Sequence, residues 1–187
     1  MSFEQWTHFY RARFFVLFKQ HRKATSAFRR ALEVNPDFAL AASCLGHLHA
    51  SQGETRLAEQ CFLDALRINP KDAVTYFNLG YHYERQKQYD QAITAFQKAV
   101  ELKPKIDRAW FGLGLAYAAL KQHNLAAQAL EEAAALQPMN PHAWYNLGMA
   151  YYTLGNQEKL AEIIAHLDRF DPKMTQQLVR DSASKAQ

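Results

Sequence analysis

Five prolines set a ruler along the chain. Pro36, Pro70, Pro104, Pro138 and Pro172 stand 34 residues apart. Leu45, Leu79, Leu113 and Leu147 keep the same step, as do Gly46, Gly80, Gly114 and Gly148, and Ala24, Ala58, Ala92 and Ala126. A fixed period of this length means stacked supersecondary units, each too small to bury its apolar face alone. Residues 73–106 show the unit best. Tyr76, Leu79, Gly80 and Tyr83 recur at offsets of three and four and share one face of a first helix. Ala92, Phe96 and Ala99, with Val100 and Leu102 beside them, do the same for a second. A turn is expected near Lys87 and Gln88. Pro104 stops the second helix, because its ring removes a backbone donor and clashes with the preceding turn.

The pattern Trp110-Leu113-Gly114-Tyr117 returns as Trp144-Leu147-Gly148-Tyr151, and Ala58-Phe62-Ala65-Pro70 returns as Ala92-Phe96-Ala99-Pro104. In these residues the chain resembles the tetratricopeptide-repeat (TPR) family. The resemblance implies an all-α fold, a right-handed α-α superhelical solenoid of about five helix-turn-helix repeats. They fall at about residues 5–38, 39–72, 73–106, 107–140 and 141–174, a single domain over 5–174. Residues 175–187 are left for the end of a short capping helix, begun near Lys173 and built on Met174, Leu178 and Val179, and a polar, disordered tail from Asp181.

Repeat one departs from the pattern. His8, Arg11, Ala12 and Phe15 stand where the family has Trp, Leu, Gly and Tyr. Trp6, Phe9, Tyr10, Phe14, Val16 and Phe18 spread over about twice the apolar stripe that a surface helix needs. In family register most of that arc faces the inner groove or the open end of the stack. The six residues are therefore candidates for self-association, with a buried, rotated first helix as the alternative.

The formal charge of +4 is concentrated at the start. Lys19, Arg22, Lys23, Arg29 and Arg30 recur at helical spacing and form a basic stripe. It suits an acidic partner, a lipid headgroup surface or nucleic acid, though repeat exteriors are ordinarily charged and solvated. Nucleic acid is the least supported of these, since no base-stacking module accompanies the stripe. Cys44 and Cys61 form no disulfide framework and read as packing residues in a reducing compartment. No stretch is long or apolar enough to span a bilayer, and no signal peptide is recognisable, so a cytoplasmic protein is expected.

Catalysis finds no constellation. His47 and His49 point to different faces of one helix, and Cys44 beside His47 lacks an orienting carboxylate. No phosphate-binding loop, nucleophile elbow or C-x-x-C motif occurs. Neither an enzyme nor a cofactor nor a metal is expected. The family resemblance places the ligand on first-helix positions of the concave side: Phe77, Asn78, Tyr81 and Arg85; Arg108, Phe111 and Leu115; Tyr145, Asn146, Met149 and Tyr152. Such a ring-lined surface suits an extended peptide or an amphipathic helix, with Asn78 and Asn146 able to hold its backbone. Family members that clamp a chaperone's terminal carboxylate use groove lysines that are missing here, so that mode is not expected.

Overall fold

A computed structural model describes residues 3–184, and among them every regular element is an α-helix. Eleven helices follow in order: α1 (Phe3–Leu17), α2 (His21–Val34), α3 (Ala39–Ser51), α4 (Thr55–Ile68), α5 (Ala73–Arg85), α6 (Tyr89–Leu102), α7 (Asp107–Ala119), α8 (His123–Leu136), α9 (Pro141–Thr153), α10 (Gln157–Asp168) and α11 (Pro172–Ser184). The first ten pair in sequence as a first and a second helix of each 34-residue period.

The hairpin inside each repeat closes in the same way five times. Its turn residue takes a positive φ: Lys19, Gly53, Lys87, Lys121 and Gly155, between +55° and +77°. The next residue's N–H then reaches back to a carbonyl in the last turn of the first helix. These bonds are Gln20 to Phe15 at 2.9 Å, Glu54 to His49 at 3.0 Å, Gln88 to Tyr83 at 3.0 Å, Gln122 to Tyr117 at 2.9 Å and Asn156 to Tyr151 at 3.0 Å. This six-to-one bond satisfies a carbonyl that the helix end would otherwise leave bare. Three lysines hold a backbone conformation that favours glycine.

The second helices end for a stated reason too. Asn35, Asn69, Lys103 and Gln137 precede the period prolines and lie outside the helical region, as a following proline ring requires. Repeat five breaks the rule. α10 stops at Asp168, and Pro172 opens α11 instead of closing a helix, in the first-turn position where a missing N–H costs nothing. That helix runs to Ser184, so four residues expected in the tail are helical; residues 185–187 lie outside the described part.

Packing divides the chain into two compact units, one ending at His82 and one beginning at Tyr83. In the first, Phe28 and Phe62 are almost completely buried, flanked by Ala24, Ala31, Ala58 and Ala65. Gly46 lets α3 approach α4: a Cβ there would lie 2.9 Å from the Phe62 ring. Thr75 donates to Asp72 Oδ2 at 2.6 Å and lies 2.7 Å from the Ser43 hydroxyl, tying α5 to α3. His82 Nε2 donates to the Thr55 carbonyl at 3.1 Å. In the second unit, Leu130 occupies the aromatic position of its repeat, and a Cβ at Gly114 would meet its Cγ at 2.6 Å.

The first helix corrects the sequence reading on two counts. Phe9 is buried, its ring 5.3 Å from Phe38 and 5.8 Å from Phe28. Arg11, expected on the packing face, is exposed. α1 packs through Gln5, Phe9 and Ala12, and the Phe9 ring meets Phe28 and Phe38. Phe9 is therefore not available for self-association. Trp6 is half-buried, with its ring 4.7 Å from Phe38.

Candidate functional site

The first-helix face is built from rings three or four residues apart. On α5, Phe77 and Tyr81 stack with centroids 6.5 Å apart and planes inclined by 20°. Tyr81 is 52% exposed, and Asn78 is half-buried beside it. These three residues belong to the first unit.

In the second unit Phe111, Tyr145, Met149 and Tyr152 all pack against one core cluster around Leu147, Leu167 and Leu178. Leu115 is half-buried, and Arg85 and Arg108 are exposed. Two expectations change here. α11 lies against α9: Leu178 is buried beside Gly148, and the Tyr145 hydroxyl donates to Asp181 Oδ2 at 2.6 Å. Burial, then the Asp181 carboxylate, pushes the Tyr145 phenol above its ordinary pKa. Tyr145 is thus engaged by the chain's own last helix. Asn146 spends one amide proton on the His142 carbonyl at 2.8 Å, one turn back, which leaves its second N–H and its oxygen for a ligand.

Tyr10 and Phe14 of α1, and Phe18 just after it, are each more than half exposed, and Val16 is also exposed. Lys19 is the turn residue rather than part of a helical stripe. Arg22, Lys23, Arg29 and Arg30 are exposed on α2. Lys23 and Arg11 both approach the Phe15 ring, at 5.7 and 5.6 Å from its centroid.

Among the described residues no group of three or more His, Cys, Asp or Glu side chains converges on a metal-sized site. Burial pushes the Cys61 thiol up to about 11, with Asp64 adding and Arg29 opposing, and burial raises Cys44 as well. Thiols held protonated at neutral pH are packing groups. No helix among the described residues is long and apolar enough to cross a membrane.

Sequence reasoning overlooked the face between second helices. α7 floors a cleft of about 640 Å³ between α6 and α8, and α9 floors one of about 370 Å³ between α8 and α10. Their floors are the consensus residues Trp110, Leu113 and Tyr117, and Trp144, Leu147 and Tyr151. Within the second cleft Tyr151 donates to Glu131, and Lys159 bonds the same carboxylate at 3.0 Å and the Tyr151 oxygen at 2.6 Å. Burial alone would raise Glu131; the bonds from Tyr151 and Lys159 outweigh it and hold the carboxyl below its usual range. Tyrosine, glutamate and lysine at these register positions were the available signal.

Comparison with known proteins agrees with this architecture. Residues 17–159 match the TPR family described as cilia and flagella-associated protein 70 C-terminal domain. No curated protein matches the chain. Among solved structures, a MamA protein is similar at 20% identity and a TM-score of 0.83, over 94% of this chain and 96% of that one. MamA from Desulfovibrio magneticus RS-1 is similar at 19% identity and 0.82, over 92% and 97%. YrrB, described as a TPR protein with an unusual peptide-binding site, is similar at 22% identity and 0.79, over 92% and 90%. The fold class is therefore the all-α, right-handed superhelical repeat of TPR proteins, a fold that serves as a protein-interaction scaffold.

Proposed function

We propose, from the premise that this chain belongs to the TPR family of the cilia and flagella-associated protein 70 C-terminal domain, that its first-helix face holds a peptide or amphipathic helix of a protein partner. The observation that carries this reading is Tyr81, a large ring 52% exposed and already stacked on Phe77. Exposed rings that are held in place bind with little further loss of side-chain entropy. Asn78 beside them supplies a backbone-reading amide, and Phe111, Leu115, Met149 and Tyr152 give the second unit its own apolar stretch. Arg85 and Arg108 favour a partner with acidic residues at its margins. The peptide-binding site in the description of the similar YrrB supports a ligand of this class. The reading makes the chain a scaffold rather than an enzyme.

Tyr81→Ala and Phe111→Ala test it, singly and together. Each should weaken partner capture by about tenfold or more while the helical circular dichroism is retained. Undiminished capture by the folded double variant overturns the proposal.

A second reading has its own observation. At the register position of Phe14, the other repeats place Leu48, His82, Ala116 and Ala150, every one of them buried, whereas Phe14 is 56% exposed. With Tyr10, Val16 and Phe18, and with Trp6 at the margin, this face suits a docking role in assembly. Light scattering over a concentration series tests it, and a strict monomer that Phe14→Ser leaves unchanged removes it. The basic residues of α2 form a third surface whose binding to nucleic acid or anionic lipid would fall steeply with salt.

A further inference from the structure

The two clefts between second helices share the plan of their floors, and one difference between their walls bears most on a ligand. In each, a tryptophan lies on the floor with its indole N–H spent on a proline carbonyl: Trp110 on Pro104 and Trp144 on Pro138, both at 2.8 Å. With the donor used, what each ring offers a ligand is its apolar, electron-rich face. In each, the tyrosine hydroxyl is tied to the preceding second helix, Tyr117 to Gln97 at 2.8 Å and Tyr151 to Glu131. Gln97 and Glu131 are 34 residues apart and occupy one register position.

The difference is the cation. In the α9 cleft, Lys159 sits 4.5 Å over the Tyr151 ring and on Glu131. Its pKa is raised first by its bond to Tyr151 and then by Glu131. The register equivalent in the α7 cleft is Leu125, 41% exposed. Three carboxylates, Glu101, Glu131 and Glu132, line that cleft, and no lysine or arginine is among its lining residues. Lys98 and Lys159 hold Glu101 and Glu131 from the flanks.

From this pairing we propose that the α7 cleft, between α6 and α8, is a binding site for a lysine or arginine side chain of a partner polypeptide, flanked there by apolar residues. The occupant's chemistry is read from the neighbouring cleft, where the chain supplies its own cation to a ring of the same kind; the carboxylate there, Glu131, has Gln97 as its equivalent in the α7 cleft, where Glu101, Glu131 and Glu132 supply the negative charge instead. The Trp110 face and the Tyr117 ring attract a cation through their quadrupoles, and they pack the aliphatic stem that carries it. Glu132 completes the pairing, and Val100, Leu113, Leu125 and Ala129 take the flanking apolar groups. This site is separate from the first-helix face, and a partner could use either alone.

The test uses the full chain and two labelled synthetic peptides, one alternating arginine with leucine and one with glutamate in place of arginine. The arginine peptide should bind and the glutamate peptide should not. Leu125→Lys sets the chain's own cation where the ligand's belongs, and Glu132→Lys removes an exposed carboxylate. Each should weaken the arginine peptide by about tenfold. Glu33→Lys, the same charge change in repeat one, should leave the affinity within about twofold. Should Leu125→Lys fail to fold, Glu132→Lys at its exposed position carries the test alone. Unchanged affinity in the cleft variants, an equal loss in Glu33→Lys, or equal binding of the glutamate peptide overturns the proposal. Self-association of the free chain that Leu125→Lys abolishes would make the occupant a second copy and overturn it as well.

Discussion

Repeats one and four run the same register and reach different surfaces. Their second helices are built alike: Ala24, Phe28 and Ala31 in one, Ala126, Leu130 and Ala133 in the other, all buried. Their first helices are not. Where repeat four has Trp110, Leu113 and Tyr117, repeat one has His8, Arg11 and Phe15. Where repeat four lines a cleft with Leu125 and Glu132, repeat one lines a smaller one with Lys23 and Arg30. Side chains facing inside the hairpin are fixed by close packing, which tolerates little change of volume. Those facing between hairpins are free to vary, so the charge of a repeat is set there. Position within the repeat, rather than the repeat itself, decides what each residue does.

Exchanging residues between the two repeats shows how far this holds. The largest effect is expected at the consensus leucine. Leu113→Arg buries an unpaired charge in the second unit and should cost roughly 3–5 kcal/mol. Arg11→Leu, at the same register on an exposed face, should stay within about 0.5 kcal/mol. Urea denaturation of both variants measures the contrast, and equal costs would erase it. Next comes the close approach of paired helices. Gly114→Ala puts a Cβ 2.6 Å from Leu130 Cγ and should cost about 1–3 kcal/mol, although Ala12 fills that register in repeat one without exposure.

The repeat's plan was legible because period, turn and proline act locally. The prolines announced where second helices stop, and Gly53 and Gly155 are of the residue type that a positive φ favours. The helix-forming lysines gave no such sign: nothing in Lys87 or Lys121 shows a positive φ until the hairpin around it closes. The register of α1 was hidden because its rings surround the helix, so periodicity could not rank Phe9 above Arg11. The helix expected from Lys173 is present, but its last four residues, Asp181 to Ser184, lie where no repeat supplied a template. The outer clefts depend on which side chains two neighbouring helices leave apart, and pairing at that range is absent from the helical pattern of either one.

Smaller effects sharpen the comparison at the turns. Lys121→Gly relieves a left-handed residue and should stabilise by about 0.5–1 kcal/mol, while Gly155→Ala should cost about 1 kcal/mol. Thermal melts of the pair should move in opposite directions; a shared direction would mean that the turn is not strained. The domain expectation meets its own check in unfolding followed at Trp6 and at Trp110 with Trp144. A single domain over 5–174 gives coincident transitions, and separated ones would make the two units independent.

The smallest effect concerns pH. Glu131 is held below its ordinary pKa, so its contribution is present above the unfolded value near 4.3 and is lost as the pH falls through the lower folded value. Because the side chain is 44% exposed, solvent screening reduces the difference to a few tenths of a kcal/mol. Glu131→Gln should therefore narrow the stability gap between pH 7 and pH 3, as read by urea titration at both. An unchanged gap would mean that the Tyr151–Glu131–Lys159 network does not form.

The central claim is that a protein partner lies on the first-helix face. A photo-crosslinking amino acid placed at Tyr81, and separately at Phe111, tests it in the intact chain exposed to its native extract. The account predicts one and the same adduct from both positions and none from Arg67 on the exposed side of α4. Adducts of equal yield from Arg67, or none from Tyr81 and Phe111 while partner capture persists, would contradict it.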